Sequence, residues 1–372
     1  MTRSLFKLPR EGFYIDFLVL WSRATVLNPY LAALIWASVG FWRFDNREAF
    51  STTVYAWPFD TWYASLISTF TLLGILLKLH DFLNDQILNN WNNADSWDWN
   101  QEIVVVTGGC SGIGLSIVEQ LLLRNAQTTI VIVDYVKPLF EIAADGPLRF
   151  YQCDLSDSTA IQQICKAIKA DVGDPTVLVN NAGLTRGQTV MEGEYGDVEM
   201  TFRTNIIAPF LLTKEFLPAM VARNHGHIVG ISSMSAMITP AGLADYGATK
   251  AGMIILQETL RAELKFRHNA PKVRVSTAVL GFIKTPMFKG KTNQSNFLSP
   301  LIHVDTVGED VVDVLYSRRS RTTFWPGISR YLASLRGGPE WLLALATRST
   351  ENLRVDYKGR QKLDRATGRL ID

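Results

Sequence analysis

The sequence predicts an α/β protein: a doubly wound, mostly parallel sheet with helices on both faces, preceded by an apolar helical region. Three observations lead there. Beyond residue 100, six strand-like apolar runs alternate with helix-length segments, a glycine-rich turn follows the first run, and the excess apolarity is gathered before residue 80. Such alternation argues βαβ units, whose strands pair in parallel with helices covering both faces.

Length and composition bound the rest. A chain of 372 residues accommodates one large domain with extensions, or two ordinary domains. Charged residues make up 19%, the net charge is +2 and the mean hydropathy is +0.08. There is no basic field for nucleic acid. Cys110, Cys153 and Cys165 form no Cys-x-x-Cys pair, so neither a disulfide framework nor a zinc site is expected, and a reducing environment is the default. His225 and His227 in "NHGHIVG" have no further ligand at metal spacing and read as a loop entering a strand, so no metal is expected.

The N-terminal apolarity falls in "ATVLNPYLAALIWASVGFW" (24–42) and "TWYASLISTFTLLGILL" (61–77), neither with a charged residue. As helices they reach about 25–29 Å, close to the hydrocarbon thickness of a bilayer. Trp36, Phe41 and Trp42 on the first, and Trp57, Trp62 and Tyr63 on the second, suit interfacial belts. Arg3, Lys7, Arg10 and Arg23 precede the first segment, with Arg43 and Arg47 in the connection, a mild bias toward a cytosolic N-terminus. Two spans, a hairpin, or one span plus an interfacial helix from "GFYIDFLVLW" all fit. No secretory signal is expected. The polar stretch "HDFLNDQILNNWNNADSWDWN" (80–100) reads as a linker or capping surface at a domain boundary.

The six runs are "EIVVVTG", "TTIVIVD", "LRFYQCD", "TVLVNNAG", "GHIVGISS" and "VRVSTAVLG". Near the end, "FWPGISRYLASLRGGPEWLLALATRSTENL" reads as two amphipathic helical pieces broken by Gly337, Gly338 and Pro339. The charged last 20 or so residues read as a loose tail.

"VVVTGGCSGIG" supplies Gly108, Gly112 and Gly114 where the first strand turns into a helix, letting main chain and helix N-terminus approach a pyrophosphate. About 20 residues on, Asp134 ends the second strand, where a carboxylate accepts adenosine ribose hydroxyls and repels a 2′-phosphate. With no Arg or Lys at Cys110 or Ser111, NAD is expected rather than NADP. Asp154 and Leu155 end the third strand, and Asn180, Asn181, Ala182 and Gly183 the fourth, so four strands deliver candidates to one sheet edge. The fold expected is thus a Rossmann-type sheet.

"ADYGATKAG" places Tyr246 and Lys250 four apart, on one helix face. That spacing arises about 0.7 times by chance in a chain this long, so it is weak alone. Ser233 lies 13 residues before Tyr246 at a strand end, and Asn205 sits in "TFRTNIIAPF". Thr-Gly-x-x-x-Gly-Ile-Gly, Asn-Asn-Ala-Gly, Asn205, Ser233 and Tyr246-x-x-x-Lys250, in this order and spacing over residues 100–290, resemble the classical short-chain dehydrogenase/reductases.

The resemblance implies hydride transfer between a nicotinamide and an alcohol or carbonyl. Tyr246 is the implied base, tuned by Lys250; Ser233 orients the reacting oxygen, and Asn205 supports a water relay. A free phenol titrates near pH 10, so the tuning is chemically necessary. The cofactor contacts implied are Gly108, Ser111, Gly112, Ile113, Gly114, Asp134, Asp154, Leu155, Asn181, Ala182, Gly183, Tyr246, Lys250, Ile283 and Thr285. In "VLGFIKTPMF", Leu280 replaces the family's usual proline, which puts loop rigidity in doubt. Gly247, Ala248, Ala251 and Gly252 suit close approach of this helix to cofactor and a neighbouring subunit.

"FLPAMVARNHGHIVGISS", "YGATKAG" and "LRAEL" resemble the branch holding retinol dehydrogenases and the lipid-droplet 17-beta-hydroxysteroid dehydrogenases. The expectation is a membrane-associated enzyme of endoplasmic reticulum or lipid droplet, catalytic domain facing the cytosol, acting on a sterol, retinoid or long-chain alcohol. A homo-oligomer, as a dimer, is implied. A membrane scaffold that binds NAD without turnover is the alternative. The organisation expected is 1–85 membrane anchor, 86–325 catalytic domain and 326–372 amphipathic extension and tail. "PMFKGKTNQSNFLSPLI" is expected to close over the pocket. The pieces around Trp325 and Trp341 either dock the mouth onto lipid or finish and cover the sheet.

Overall fold

The computed structural model describes residues 8–45, 62–92, 96–289, 292–353, 355–357, 362–363 and 370–371. The chain divides into two compact units, Met1–Leu88 and Asn89–Asp372.

In the first unit, α1 (Ile15–Ala24), α2 (Pro29–Asp45) and α3 (Trp62–Leu88) are the described helices. The expected span over 24–42 is not one helix. Pro29 lacks the N–H a continuous helix needs, and Asn28 Oδ1 accepts from the Tyr30 and Leu31 N–H groups at 3.0 and 3.4 Å, capping a new helix. The axis bends by 44° between α1 and the start of α2. Conversely, the helix predicted at 61–77 runs on to Leu88, because nothing in "KLHDFLNDQIL" breaks it, and Asn84 bonds His80 one turn away. Much of the polar stretch is therefore helix rather than linker. Gly74 lets α3 cross the bend at Leu27, whose carbonyl oxygen a Cβ there would approach to 2.3 Å. Leu66, Leu72, Ile75, Leu76 and Leu79 of α3 remain exposed. A helix apolar on its exposed faces is built for an apolar solvent. Arg3, Lys7, Arg47 and Trp57 lie outside the described residues.

In the second unit all six predicted runs form strands: β1 (Ile103–Thr107), β2 (Thr129–Asp134), β3 (Leu148–Gln152), β4 (Val177–Asn180), β5 (His227–Ser233) and β6 (Arg274–Leu280). Later come β7 (Phe288–Lys289), β8 (Thr322–Trp325) and β9 (Asp356–Tyr357). Among the described residues, seven strands form one parallel sheet in the order β3-β2-β1-β4-β5-β6-β8. The order reverses between β1 and β4, which opens a crevice beyond the carboxyl ends of those strands.

β1 shows why the runs are continuously apolar. Val104 and Val106 face one core with α4 (Gly112–Arg124) and α9 (Val304–Ser317), while Val105 faces the other. That second core takes α5 (Ser158–Asp171), α7 (Ala208–Arg223) and α8 (Ala244–Phe266). Each fully buried Val, Ile or Leu contributes about 1.5–3 kcal/mol, so the sheet positions dominate the stability of this unit. Helix starts are also specified: the Asp157 carboxylate accepts from the Thr159 and Ala160 N–H groups at the start of α5.

Three sequence expectations change here. β8 stands where a helical piece was expected to begin; it pairs with β6 as a sheet edge, and Trp325, 7% exposed, is in the core rather than on a lipid-docking face. Asn89, in the stretch read as a linker or capping surface, is buried, its Oδ1 accepting from the Ser320 N–H at 2.8 Å, which fits a cap rather than a linker. Part of the presumed loose tail is β9, antiparallel to β7. α6 (Tyr195–Phe202), a π-helical turn (Arg203–Ile207) and α7 run as one apolar helical stretch long enough to cross a membrane. Its Ala208, Leu212, Phe216 and Met220 are buried against the sheet, so it is a core helix.

Candidate active site

The glycine turn can be built atom by atom. β1 ends at Thr107, and the chain reverses through Gly108 (φ +66°) to Gly112 (φ +55°), backbone that an L side chain rarely adopts. Gly114 has a different role: a Cβ on it would lie 2.1 Å from the Gly108 carbonyl oxygen, so only glycine lets α4 start this close to β1. Ser111 makes no side-chain cap bond at the N-cap of α4. The first-turn N–H groups have no partner within the helix and sit at its positive dipole end. Thr107 Oγ1 accepts from the Asn181 and Ala182 N–H groups, each at 3.0 Å, and Asn181 Nδ2 donates to the Thr107 carbonyl at 2.9 Å. These bonds lock the end of β4 onto the end of β1.

Asp134 ends β2 at the rim of this turn. Its Oδ2 accepts from the Cys110 N–H at 3.0 Å and its Oδ1 from the Val136 N–H at 3.2 Å. Burial raises its pKa from the ordinary carboxylate value, and these N–H groups pull the other way. Asp154 Oδ1 accepts from the N–H and hydroxyl of Ser156 at 2.9 and 2.7 Å, which closes the turn after β3.

Across the crevice, β5 delivers Ser233 and α8 delivers Tyr246 and Lys250. Ser232 Oγ donates to the Lys250 carbonyl at 2.8 Å and pins α8 to β5. Lys250 Nζ donates to the Ile231 carbonyl at 2.9 Å and lies 5.5 Å from the centre of the Tyr246 ring. Burial pulls Lys250 down to about 8. It pushes Tyr246 up to about 12, opposed by a hydrogen bond with Ser233. Asn205, in the π-helical turn, holds the loop opposite: Oδ1 accepts from the Leu184 N–H at 2.9 Å, while Nδ2 donates to the Leu184 carbonyl at 2.9 Å and to Thr249 Oγ1 at 3.2 Å. The place of a Cβ on Gly183 is bracketed by Lys250 Nζ at 3.3 Å and Asn205 Oδ1 at 3.4 Å.

All the sequence-predicted site positions except Gly114, Asn180 and Asn205 line a single cleft. Gly114 packs against Gly108, Asn180 Nδ2 lies 3.5 Å from Thr213 Oγ1, and Asn205 bonds Leu184 and Thr249. The cleft suits a dinucleotide by its own chemistry, with uncapped N–H groups at one end and a buried Lys at the other. Thr185, which also lines the cleft, has a fully buried hydroxyl oxygen with no hydrogen-bond partner.

The profile of the short chain dehydrogenases matches residues 102–296, just over half of the 372. The chain belongs to that family. It is therefore an oxidoreductase that uses a nicotinamide cofactor, and within the family it resembles the retinol dehydrogenase branch. It is 35% identical over 213 residues to Dehydrogenase RED2 of Cochliobolus heterostrophus, covering 57% of this chain and 80% of that one. To epidermal retinol dehydrogenase 2 of Mus musculus it is 31% identical over 223 residues, covering 58% and 71%. The short-chain fold is shared with 4-hydroxyisoleucine dehydrogenase complexed with NADH, at TM-score 0.52 and 21% identity, over 59% of this chain and 96% of that one.

Several members of this short-chain site were not visible in the sequence. Leu184, Thr185, Thr204, Pro286 and Met287 line the cleft but carry no motif of their own. Leu184, Thr185, Pro286 and Met287 are marked only by following a motif, and Thr204 only by preceding Asn205. The loop after Leu280 is held although proline is missing: the Gly281 N–H donates to the Trp325 carbonyl, and the Lys284 and Ile302 N–H groups donate to the Ile302 and Phe282 carbonyls, each at 2.8 Å. Within this chain Gly247 lies against Ser235 and Thr239, and Gly252 against Ile206.

Proposed function

We propose that this chain is a membrane-anchored, NAD-preferring dehydrogenase of lipophilic alcohols such as a sterol, a retinoid or a long-chain alcohol. The observation that carries the chemistry is that Ser233, Tyr246 and Lys250 line the same cleft as the glycine turn. The nicotinamide, when bound, supplies the hydride acceptor or donor. Tyr246 takes the hydroxyl proton from the substrate and Ser233 orients the reacting oxygen. Without cofactor, burial holds Tyr246 protonated. Positive charge at Lys250 and the oxidised ring favours the phenolate and brings its pKa toward the working range. Asn205 positions the Gly183–Leu184 loop and so the lysine, which supports the relay by which the proton leaves.

Asp134 supports NAD over NADP: a 2′-phosphate beside a buried carboxylate adds like charge where no cation is at hand on the turn. The Gly108–Gly114 turn, Asp154, Leu155, Ala182, Ile283 and Thr285 complete the cofactor contacts. The exposed apolar surface of α3 supports residues 1–85 as the anchor in endoplasmic reticulum or lipid-droplet membrane, with 86–325 catalytic on the cytosolic side and 326–372 an extension. Phe202, Ile207, Phe210 and Ile255 are exposed along α6, the π-helical turn, α7 and α8 and support a dimer through those helices.

The test is Tyr246→Phe in membranes. General acid–base catalysis is worth about 10²–10⁴-fold, so NAD-coupled alcohol oxidation falls by that factor while NADH binding stays within about threefold. Unchanged turnover sinks the mechanism.

A further inference from the structure

The C-terminal segment has a place that the catalytic scheme does not use. β9 pairs antiparallel with β7, with Phe288 opposite Tyr357 and Lys289 opposite Asp356. β7 directly follows Met287, which lines the cleft. On its other side the Tyr357 ring rests on Gly187, two residues beyond the cleft-lining Thr185. A Cβ on Gly187 would lie 2.4 Å from Tyr357 Cδ2. Tyr357 is half-buried, and the nearby Tyr246 phenol adds to the burial that raises its pKa. Two further bonds tie the same segment down: Asn293 Nδ2 donates to the Asn352 carbonyl at 2.6 Å, and Arg336 Nε to the Met237 carbonyl at 3.1 Å. Three loops after the strand ends, at residues 187, 237 and 288–289, are thus each joined to the C-terminal segment. In an open α/β sheet, loops beyond the carboxyl ends form the substrate wall.

We propose that residues 334–353 and 355–357 form a strap across the substrate end of the cleft, and that Tyr357 is a specificity-determining residue whose ring limits the bulk of alcohol reaching Tyr246. The inference rests on the dehydrogenase reading above for its substrate class. A ring set against main chain at Gly187 has little room to swing aside, so it excludes by overlap, and removing it admits wider molecules.

The experiment uses the full chain in detergent with NAD, comparing cyclohexanol with cholesterol. Tyr357→Ala is expected to raise the cholesterol-to-cyclohexanol ratio of kcat/KM about tenfold, mainly through the KM for cholesterol. Tyr357→Phe keeps the ring and stays within about twofold of the wild-type ratio. Amide exchange at Phe288 and Lys289 speeds up in Tyr357→Ala, because the ring that holds β9 in place is gone. A ratio within twofold of wild type in Tyr357→Ala overturns the proposal. Turnover of neither alcohol by any variant counts against the dehydrogenase reading instead. The strap is then judged by exchange, where faster exchange at 288 and 289 supports it and unchanged exchange overturns it.

Discussion

Lys250 and Ile231 are joined by one hydrogen bond, Nζ to carbonyl oxygen at 2.9 Å, which turns the ammonium toward β5 and leaves it 5.5 Å from the Tyr246 ring centre. In the proposed mechanism the lysine acts on the phenol through the field of its charge rather than by contact.

This burial makes stability pH-dependent. Lys250 titrates at about 8 in the folded chain without cofactor, against 10.5 when free. Between those values the unfolded chain holds a proton that the folded chain lacks, so the Lys250 contribution to stability rises with pH, and the burial penalty is fully present below pH 8. At about 1.4 kcal/mol per unit the penalty at pH 7 is roughly 3 kcal/mol, partly offset by about 1 kcal/mol from the bond to Ile231. Lys250→Met is therefore expected to unfold at a higher temperature than wild type at pH 7, with the gap closing by pH 10. A gap independent of pH, measured by thermal unfolding in detergent without cofactor, contradicts this.

Asp134 has two duties. Removing its carboxylate takes an acceptor from two main-chain N–H groups, a loss of about 1–3 kcal/mol in stability. Asp134→Ala is expected to melt lower than wild type and to weaken NAD about tenfold more than NADP. NADH and NADPH fluorescence titrations check the second part, and equal weakening of both would remove the cofactor argument.

The glycines of the turn are unequal. Gly112→Ala introduces a left-handed alanine costing about 1–2 kcal/mol, with its Cβ only in ordinary contact, 3.6 Å from Thr285. Gly114→Ala drives a methyl to within 2.1 Å of a carbonyl and must displace α4 from β1. NADH binding is expected to survive weakened in the first variant and to be lost in the second, as a titration of both would show.

Asn205 joins three groups through one side chain. Asn205→Asp keeps the acceptor for the Leu184 N–H but sets a carboxylate against the Leu184 carbonyl. Turnover is expected to fall at least tenfold through kcat, with NADH affinity within about threefold, because the loop bearing Gly183 shifts beside Lys250. A wild-type kcat would show that the loop needs no such holding.

The strands from "EIVVVTG" to "VRVSTAVLG" were legible because each is a short continuous apolar run, and burial on both faces demands that pattern whatever lies around it. The turn at Gly108–Gly114 was legible because left-handed backbone and a 2.1 Å approach leave no other residue type. β8 was not: "TTFW" is four residues at a sheet edge behind three arginines, Arg318, Arg319 and Arg321, and its ladder to β6 comes from a partner 45 positions earlier. Trp325 and Trp341 read alike in sequence, yet one is 7% and the other 62% exposed.

By itself, then, the sequence determined the parallel α/β sheet, the nucleotide turn and the Ser233, Tyr246 and Lys250 set, since these depend on local backbone geometry and short-range periodicity. Only the tertiary structure decided that Asn205 bonds Leu184, that Lys250 donates to Ile231, and that Tyr357 lies on Gly187. Those contacts join residues 21, 19 and 170 positions apart, and no local pattern encodes a pairing that exists only after the chain has closed.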